Sequence, residues 1–289
     1  YEIMPSLVGS EMCIRDSNLT LSVGERREDG YHEIDSVMHS ISLCDEVTLT
    51  EAGGISLSIK EGLAPGGKAN LMWEAAELFF RETGFSGGAH MELVKQIPSE
   101  AGMGGGSSDA AAVLRGLNRM TGQQLSLAAL ADMGARLGAD VPFCVAGGCR
   151  RCEGIGEKLT PLAGWEGLPL VIVRPGVSIS TGKAYGLLDV CPRRRAGTAE
   201  SCIKALKNKD RAALMASLSN DFEDVLFKAE TVLGETFSYL SSLCKKAMMT
   251  GSGSAFFLMA GNEVQQRKLA AKIKEERPQW YVGTAETIL

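Results

Sequence analysis

Residues 98–108 have the composition and spacing best suited to chemistry in this chain. They read P-S-E-A-G-M-G-G-G-S-S, with four glycines in the five positions from Gly102 to Gly106. Glycines let backbone N–H groups converge on a ligand, and a helix starting here would add the positive end of its dipole, so the loop could bind a di- or triphosphate. Ser107 and Ser108 could cap that helix and offer hydroxyls to a phosphate or its cation. The alternative is a turn that only caps a helix, which would not require four glycines and their loss of backbone entropy.

Two other phosphate-binding patterns fit less well. The dinucleotide fingerprint G-x-G-x-x-G fails, because its third glycine would fall on Ser107 or Asp109. A Walker-type G-x-x-x-x-G-K spans residues 62–68, but Ala69 stands where a serine or threonine would bind magnesium. We interpret residues 62–68 as a glycine turn.

The cysteines and histidines favour neither a metal site nor a redox site. Cys149 and Cys152 form a C-x-x-C, but the sequence has no second ligand pair at the spacing of a zinc site and no thioredoxin-like strand and helix around them. The eight cysteines are irregularly spaced, so we expect reduced thiols. Because the chain has only three histidines, we expect no histidine-rich metal site.

Hydrophobic periodicity predicts the elements that would position the glycine loop. Four segments in the first 60 residues alternate apolar and polar residues and are predicted as strands: N-L-T-L-S-V, H-S-I-S-L, E-V-T-L-T-E-A and I-S-L-S-I-K. A helix over residues 70–83 and a strand stopped by Pro98 precede the loop, and an alanine-rich helix follows it. Ser126 is the predicted cap of a further helix that ends near Gly138.

The pattern of elements restarts after about residue 164. The run L-P-L-V-I-V-R-P-G predicts a buried strand, and residues 199–227 and 230–244 have helical periodicity. A glycine turn with a strand, a helix and the final segment W-Y-V-G-T-A-E-T-I-L, predicted as a strand, follow. Strands and helices cluster separately, so we predict an α+β fold in two lobes with a boundary between residues 155 and 170.

The composition narrows the classes of function. The chain has 289 residues, of which 45% are hydrophobic and 22% charged, so it is an ordinary globular protein. Thirty basic and 35 acidic residues give a net charge of −5, which argues against a nucleic-acid partner. No run approaches the ~20 apolar residues of a membrane span, and residues 1–17 lack the features of a secretory signal. We therefore expect a cytoplasmic protein with no membrane partner.

Several motifs together resemble one kinase superfamily. The loop at residues 98–108 resembles the ATP loop of the superfamily of galactokinase, homoserine kinase, mevalonate kinase and phosphomevalonate kinase. Residues 18–289 resemble the branch that phosphorylates 4-diphosphocytidyl-2-C-methyl-D-erythritol, through motifs in the same order along the chain. These motifs are D-G-Y-H-E-I-D-S-V (29–37), N-L (70–71), L-G-A-D-V-P-F (137–143), G-I-G-E-K-L-T-P-L (154–162), R-P-G-V-S-I-S-T (174–181) and T-G-S-G-S-A-F-F (250–257).

The resemblance implies transfer of the γ-phosphate of ATP, with Mg²⁺, to a hydroxyl of this cytidine-diphosphate-linked small molecule. That reaction is a step of the non-mevalonate route to isoprenoid precursors. The implied fold is α+β, a two-lobe kinase with a left-handed β-α-β unit in the N-terminal lobe and an α/β sandwich as the C-terminal lobe. We expect an anomalous leader at residues 1–17, an ATP-binding domain at 18–160 and a C-terminal kinase domain at 161–289, in a monomer or homodimer.

The resemblance also implies a role for each matching residue. Asp140, in G-A-D-V-P-F, matches the carboxylate that accepts or orients the hydroxyl proton. Tyr31 and His32 match the residues that hold the cytosine, and Tyr185 matches the aromatic on its other face. Asn18 and Thr181 match polar contacts to the sugar and diphosphate. The expected nucleotide contacts are Asn70, Leu71, Pro98, Ser99, Glu100, Ala101, Gly102, Met103, Gly104, Gly105, Gly106, Ser107 and Ser108. Ser107 or Ser108, and Ser108 by preference, would contact magnesium, and the turn at residues 250–253 would pack beside the loop.

The chain departs from the family pattern near its start. The family has Ala-Lys-x-Asn-Leu there, with the lysine beside the catalytic aspartate and the transferring phosphate. Asn18 matches the asparagine, so Asp16 stands at the lysine position. A carboxylate adds negative charge where charge must be neutralised. We therefore expect residues 1–17 to be a foreign leader, and the chain to bind nucleotide but transfer phosphate poorly.

Two other functions stay open at this point. A sister kinase that acts on homoserine or a mevalonate would share the glycine loop but would not need G-Y-H or Tyr185. A catalytically impaired nucleotide-binding protein would be consistent with Asp16. Competition by cytidine diphosphate distinguishes the first, and a melting shift with ATP analogues without turnover distinguishes the second.

Overall fold

The computed structural model describes the backbone of residues 7–97, 102–190 and 199–289, and the side chains in these ranges from residue 17 onward. The strands are β1 (Leu7–Arg26), β2 (His32–Ala52), β3 (Ser56–Glu61), β4 (Gly88–Val94), β5 (Cys149–Gly154), β6 (Lys158–Pro161), β7 (Pro169–Arg174), β8 (Ser219–Asn220), β9 (Ala247–Met249), β10 (Phe256–Met259) and β11 (Tyr281–Glu286). The helices are α1 (Leu71–Thr83), α2 (Gly105–Thr121), α3 (Leu127–Ala135), α4 (Val141–Ala146), α5 (Thr181–Asp189), α6 (Ala199–Asn208), α7 (Arg211–Ser217), α8 (Asp221–Ala229), α9 (Thr231–Leu243) and α10 (Glu263–Glu276).

The described residues form two compact units. The first unit contains residues 7–15, 44–97 and 104–146, and the second contains residues 16–43, 102–103, 147–190 and 199–289. Strand β2 continues from the second unit into the first. In the described part of the chain, no helix combines the length and the apolar character needed to cross a membrane.

The first unit is built around a parallel β-α-β arrangement. Strands β3 and β4 lie parallel and are connected through α1, and β4 pairs antiparallel with residues 46–52 of β2. Asn70 caps α1 by accepting a hydrogen bond from the Met72 N–H, and Gly84, in the left-handed region at φ 66°, follows its last residue. This confirms the helix predicted over residues 70–83. The apolar faces of α1 and α2 pack together in the core of this unit.

The second unit contains an antiparallel sheet in the order β11-β7-β10-β9. Residues Leu170 to Val173 of the central strand β7 are fully buried, as their continuous apolar run predicts. Helices α9 and α10 pack on this sheet, and residues of α5 and α8 belong to the same core. In the same unit the first half of β2 pairs with β5, β5 pairs with β6, and β1 pairs in parallel with β8.

Two segments differ from the elements that periodicity predicts. H-S-I-S-L and E-V-T-L-T-E-A belong to one strand, β2, because Asp45 between them is buried in an ion pair with Lys95 and does not form a polar turn. The predicted helix over residues 199–227 is divided into α6, α7 and α8. Lys209 takes a left-handed φ of 52° after α6, and residues 219–220 extend to pair with β1.

Candidate active site

Helix α2 begins at the glycine run without a side-chain cap. The residue before it, Gly104, has a left-handed φ of 61° and no side chain to accept from the first N–H groups. The predicted cap by Ser107 or Ser108 is wrong, because both serines lie inside the first turn of α2. Among the described residues, no atom outside the surrounding turns of α2 lies within 4 Å of the position that a Cβ added to Gly106 would take. Asparagine, serine or aspartate side chains cap α1, α3, α5, α7, α8 and α10. The backbone N–H groups at the start of α2 are therefore suited to an anion.

The structure describes only part of the predicted phosphate loop. Gly102 and Met103 lie just before α2, and Met103 is buried. Pro98, Ser99, Glu100 and Ala101 lie outside the described residues. The side chain of Asp16 also lies outside them, although its backbone is part of β1.

The two serines of the first turn of α2 differ in accessibility. Ser108 is buried, and its hydroxyl donates to the Gly105 carbonyl oxygen at 3.0 Å. Ser107 is only half-buried. Both hydroxyl oxygens are hard donors of the kind Mg²⁺ prefers, but a ligand at the helix start reaches Ser107 more readily.

A buried ion cluster joins the two ends of the glycine loop. Lys95 Nζ lies 2.7 Å from Asp45 Oδ2 and 2.5 Å from Asp109 Oδ2, and it donates to the Gly105 carbonyl at 3.3 Å. The other oxygen of Asp45 accepts from the backbone N–H groups of residues 96 and 97, immediately before the loop. All three charged side chains are almost fully buried. The cluster therefore fixes the end of β4 relative to the start of α2.

Asn70 and Leu71 lie at the start of α1. The Asn70 side chain is engaged at both ends: Oδ1 accepts from the Met72 N–H, and Nδ2 donates to the Pro65 carbonyl oxygen at 2.8 Å. Leu71 is half-buried. Asn70 thus orders the local backbone, and a nucleotide contact by this pair stays a prediction.

Asp140 immediately precedes α4, and its carbonyl oxygen accepts from the Cys144 N–H. The position of α4 is fixed by a close approach to α3, where a Cβ on Gly134 would lie 2.8 Å from Val141 Cγ1. The Asp140 side chain is solvent-exposed. Desolvation by the protein atoms around the carboxyl raises the pKa of Asp140 above its ordinary value. A carboxylate with a raised pKa is suited to accept a proton near neutral pH.

In the second unit, the turn at residues 250–253 packs directly on Gly102. A Cβ on Gly102 would collide with the Gly253 carbonyl oxygen, and one on Gly251 would collide with the Gly102 carbonyl oxygen. All three glycines have left-handed φ values, of 66° at Gly102, 55° at Gly251 and 82° at Gly253. Only glycine allows both this backbone conformation and this approach.

Asn18 is buried and its side chain contacts protein groups. Its Oδ1 accepts from the Gly251 N–H at 3.0 Å, and its Nδ2 donates to Ser36 Oγ at 2.8 Å. Thr181 is exposed at the start of α5, with its hydroxyl 3.1 Å from that of Ser252. The predicted substrate contacts of Asn18 and Thr181 are not tested by these bonds. The bonds do connect both residues to the glycine turn.

The three rings predicted to hold a base have different surroundings. His32 stacks on Tyr185 with ring centroids 4.8 Å apart, and its Nε2 lies 2.6 Å from Asp189 Oδ1. Tyr185 also meets Phe222 edge to face. Tyr31, the neighbour of His32, is 58% exposed. The structure therefore brings His32 and Tyr185 together and leaves the Tyr31 ring accessible.

The C-x-x-C pair lies on β5 and is buried. Burial raises the pKa of Cys149 to about 12, and the nearby Cys202 contributes to the shift. The described cysteines are free thiols. Within the described ranges, no group of three histidine, cysteine or acidic side chains is arranged to hold a metal ion.

Sequence reasoning missed the Lys95 cluster and Asn220. Asp45 is 50 residues from Lys95 in the chain, so no local pattern indicates their pairing. Asn220 bonds the glycine turn at residues 249 and 251. The segment N-D-F-E, which begins at Asn220, could have indicated a helix cap there, because asparagine often caps a helix.

Comparisons with known proteins agree with this geometry. Residues 70–148 match the N-terminal domain of the GHMP kinases, and residues 202–279 match the C-terminal domain. A 4-diphosphocytidyl-2-C-methyl-D-erythritol kinase of Acetivibrio thermocellus is 38% identical over 86% of this chain and 88% of its own length. The enzyme of the same name from Moorella thermoacetica is 38% identical over 92% and 94%.

Solved structures similar to this chain include kinases of the same kind. The crystal structure of a 4-(cytidine 5'-diphospho)-2C-methyl-D-erythritol kinase has a TM-score of 0.82 and 32% identity, and the match covers 96% of this chain and 99% of that one. Mevalonate kinase of L. major has a TM-score of 0.74 at 16% identity, with 98% of each chain covered, and so shares the fold. The predicted two-lobe α+β kinase fold is confirmed. The chain belongs to the GHMP kinases, in the family of the 4-diphosphocytidyl-2-C-methyl-D-erythritol kinases.

Proposed function

We propose that this protein transfers the γ-phosphate of ATP to a hydroxyl of 4-diphosphocytidyl-2-C-methyl-D-erythritol, in the non-mevalonate route to isoprenoid precursors. The observation that carries the proposal is the start of α2, where left-handed Gly104 leaves the first N–H groups without a side-chain cap. The names of relatives at 36–38% identity support the substrate.

Residues 102–108 would bind the triphosphate through backbone N–H groups and the positive end of the α2 dipole. The Lys95 cluster holds the strand end and the helix start that flank this loop. Mg²⁺, when bound with ATP, would supply charge neutralisation on the phosphates. Ser107, with its more accessible hydroxyl, would contact the ion in place of the buried Ser108. Asn70 and Leu71 would border the nucleotide at the start of α1.

Asp140 would orient the substrate hydroxyl and accept its proton as its oxygen bonds to the γ-phosphorus, while the bond from that phosphorus to the bridging oxygen breaks and ADP leaves. Its raised pKa brings the carboxyl nearer to the working pH than an ordinary aspartate. Tyr31 would stack on the cytosine, while His32 and Tyr185 would complete the base site. Asn18 and Thr181 would contact the sugar and the diphosphate.

Asp16 would weaken catalysis, because it places a carboxylate where the family has a lysine. Substitution of Asp16 by lysine should therefore raise kcat, since a cation there neutralises charge on the transferring phosphate. No increase in kcat would count against this role of position 16. We further propose a cytoplasmic monomer or homodimer that has a small-molecule partner and binds neither nucleic acid nor membrane.

A coupled assay with ATP and the diphosphocytidyl substrate tests the proposal. We expect ADP release that depends on this substrate and is inhibited by cytidine diphosphate, and no turnover with homoserine or mevalonate. Turnover of homoserine or mevalonate would instead assign a sister activity. Asp16 favours a second candidate function, an impaired nucleotide-binding protein, which would show a melting shift with an ATP analogue but no turnover.

A further inference from the structure

Two asparagine side chains hold the peptide groups of the turn at Gly251. Asn220 Nδ2 donates to the carbonyl oxygens of Met249 and Gly251, each at 2.8 Å. Asn18 Oδ1 accepts from the Gly251 N–H at 3.0 Å. The backbone N–H and the carbonyl oxygen of Gly251 are thus each hydrogen-bonded to a side chain, one from β1 and one from β8.

Each asparagine is itself fixed by other bonds. Asn220 is 2% exposed, and its Oδ1 accepts from the Phe222 N–H at 3.0 Å, at the start of α8. Asn18 Nδ2 donates to Ser36 Oγ, which in turn donates to the Thr20 carbonyl oxygen. Rotation of either amide would break at least one further hydrogen bond, so the two side chains form a rigid support for the turn.

The supported turn is the surface on which Gly102 rests. The backbones at Gly102, Gly251 and Gly253 approach so closely that no side-chain carbon fits between them. A displacement of the turn therefore either pushes Gly102 or leaves a gap beside it. Because Gly102 lies two residues before the N-cap of α2, its position affects the direction of the following N–H groups.

We propose that Asn220, together with Asn18, is a positioning residue for the nucleotide. By fixing the turn at residues 250–253, it holds Gly102 in the loop that binds the triphosphate. The inference rests on the proposed function, since it takes residues 102–108 as the triphosphate site. Its hydrogen bonds reach the turn and α8, so Asn220 acts on the nucleotide through the turn.

The substitution Asn220→Asp tests this role. Aspartate has the same shape and keeps the Oδ1 that caps α8, but it replaces the donor Nδ2 with an oxygen that repels both carbonyls. Asn262→Asp is the matched control, because Asn262 caps α10 through the Gln265 N–H at 2.9 Å. Calorimetric titration with ADP and with cytidine diphosphate measures each site separately and does not require turnover.

We expect the Kd for ADP to rise roughly tenfold or more in Asn220→Asp, because the turn no longer holds Gly102 in the position that binds the phosphates. The Kd for cytidine diphosphate should rise less than the Kd for ADP, because the turn also bonds Asn18 and Thr181 whereas Tyr31, His32 and Tyr185 keep their positions, and Asn262→Asp should change neither Kd. Equal weakening of both ligands would indicate a merely structural role and overturn the proposal.

An unchanged Kd for ADP in a folded Asn220→Asp would overturn the positioning role and leave the proposed function intact. Absence of ADP binding to the unsubstituted chain would overturn both. If Asn220→Asp does not fold, Asn220→Ser replaces it, because serine keeps a capping oxygen without a buried charge, and the same selective loss of ADP affinity is expected.

Discussion

The His32 imidazole lies against the Tyr185 ring, with centroids 4.8 Å apart and planes inclined by 21°. Its Nε2 is 2.6 Å from Asp189, so the imidazole is held on an edge and on a face. The adjacent residue, Tyr31, projects into solvent. His32 therefore has a fixed orientation, while the exposed ring of Tyr31 is available for stacking on a base.

Removal of the Tyr31 ring should weaken substrate binding without unfolding the protein. Stacking of a base on an aromatic ring contributes about 1–3 kcal/mol, so Tyr31→Ala should raise the KM for the diphosphocytidyl substrate roughly 5- to 150-fold. Because the ring is exposed, the free energy of unfolding should change by less than about 0.5 kcal/mol. Tyr31→Phe keeps the ring and should behave like the unsubstituted protein. An equal rise of KM in both variants would contradict stacking.

Loss of the Asp140 carboxylate should lower kcat but not stability. Asp140→Asn removes the proton acceptor, so kcat should fall by roughly 10²- to 10⁴-fold, with ADP affinity retained. Because the side chain is exposed, Asp140→Asn should change the free energy of unfolding in urea by less than about 0.5 kcal/mol.

The control for Asp140 is Asp132→Asn, which changes an exposed aspartate on α3. Its kcat should equal that of the unsubstituted chain. If the starting rate is too low to measure a decrease, the Asp16→Lys chain serves as the reference. Full activity in Asp140→Asn would reject the proton-acceptor role.

The buried Lys95 cluster should be a large contributor to stability. Lys95→Met leaves the carboxylates of Asp45 and Asp109 buried together, so the free energy of unfolding in urea should fall by about 3–5 kcal/mol. Lys60→Met removes an exposed lysine that is 2.6 Å from Glu92 and should cost less than about 1 kcal/mol. Similar losses in the two variants would show that burial of the cluster does not determine its contribution.

Local sequence patterns predicted the parts of the site that neighbouring residues determine. Glycines at residues 102–106 correctly indicated a helix start, but the predicted serine cap was wrong, because Gly104 is the N-cap and both serines lie inside α2. The G-A-D-V-P-F segment placed Asp140 next to a helix boundary. Two features were not predicted: the Lys95 cluster, and the hydrogen bonds of Asn18 and Asn220 to the glycine turn. In each, the residues that pair are distant in the chain. Asp45 precedes Lys95 by 50 residues, and Asn18 precedes Gly251 by 233. Such pairs follow from the topology of the folded chain and leave no periodic signal.

The strands were predicted less well where a charged residue is buried. Asp45 in the middle of β2 resembles a turn residue in sequence, and only its pairing with Lys95 allows the strand to continue. Likewise, the short strand β8 arises from pairing with β1 and not from any alternation of its two residues. In both places tertiary contacts outweigh local propensity.

His39 should make the stability of the protein decrease in acid. It is fully buried, with Nδ1 3.0 Å from the Ser40 carbonyl oxygen and Nε2 accepting from the Trp165 N–H at 3.1 Å. This arrangement requires a neutral ring with the proton on Nδ1, because a protonated Nε2 could not accept from Trp165. Burial lowers the pKa of His39 below its ordinary value of 6.5.

The sign of the effect follows from this shift. Below pH 6.5 the unfolded chain binds a proton at residue 39 while the folded state does not. The contribution of neutral His39 to stability is therefore fully present above pH 6.5 and is lost as the pH falls toward the lowered pKa. The loss is at most about 1.4 kcal/mol per pH unit. The free energy of unfolding, measured in urea at several values between pH 8 and pH 5, should therefore decrease less in His39→Gln than in the unsubstituted chain. This holds even if the variant is less stable at every pH. An unchanged slope in His39→Gln would show that His39 is not its source.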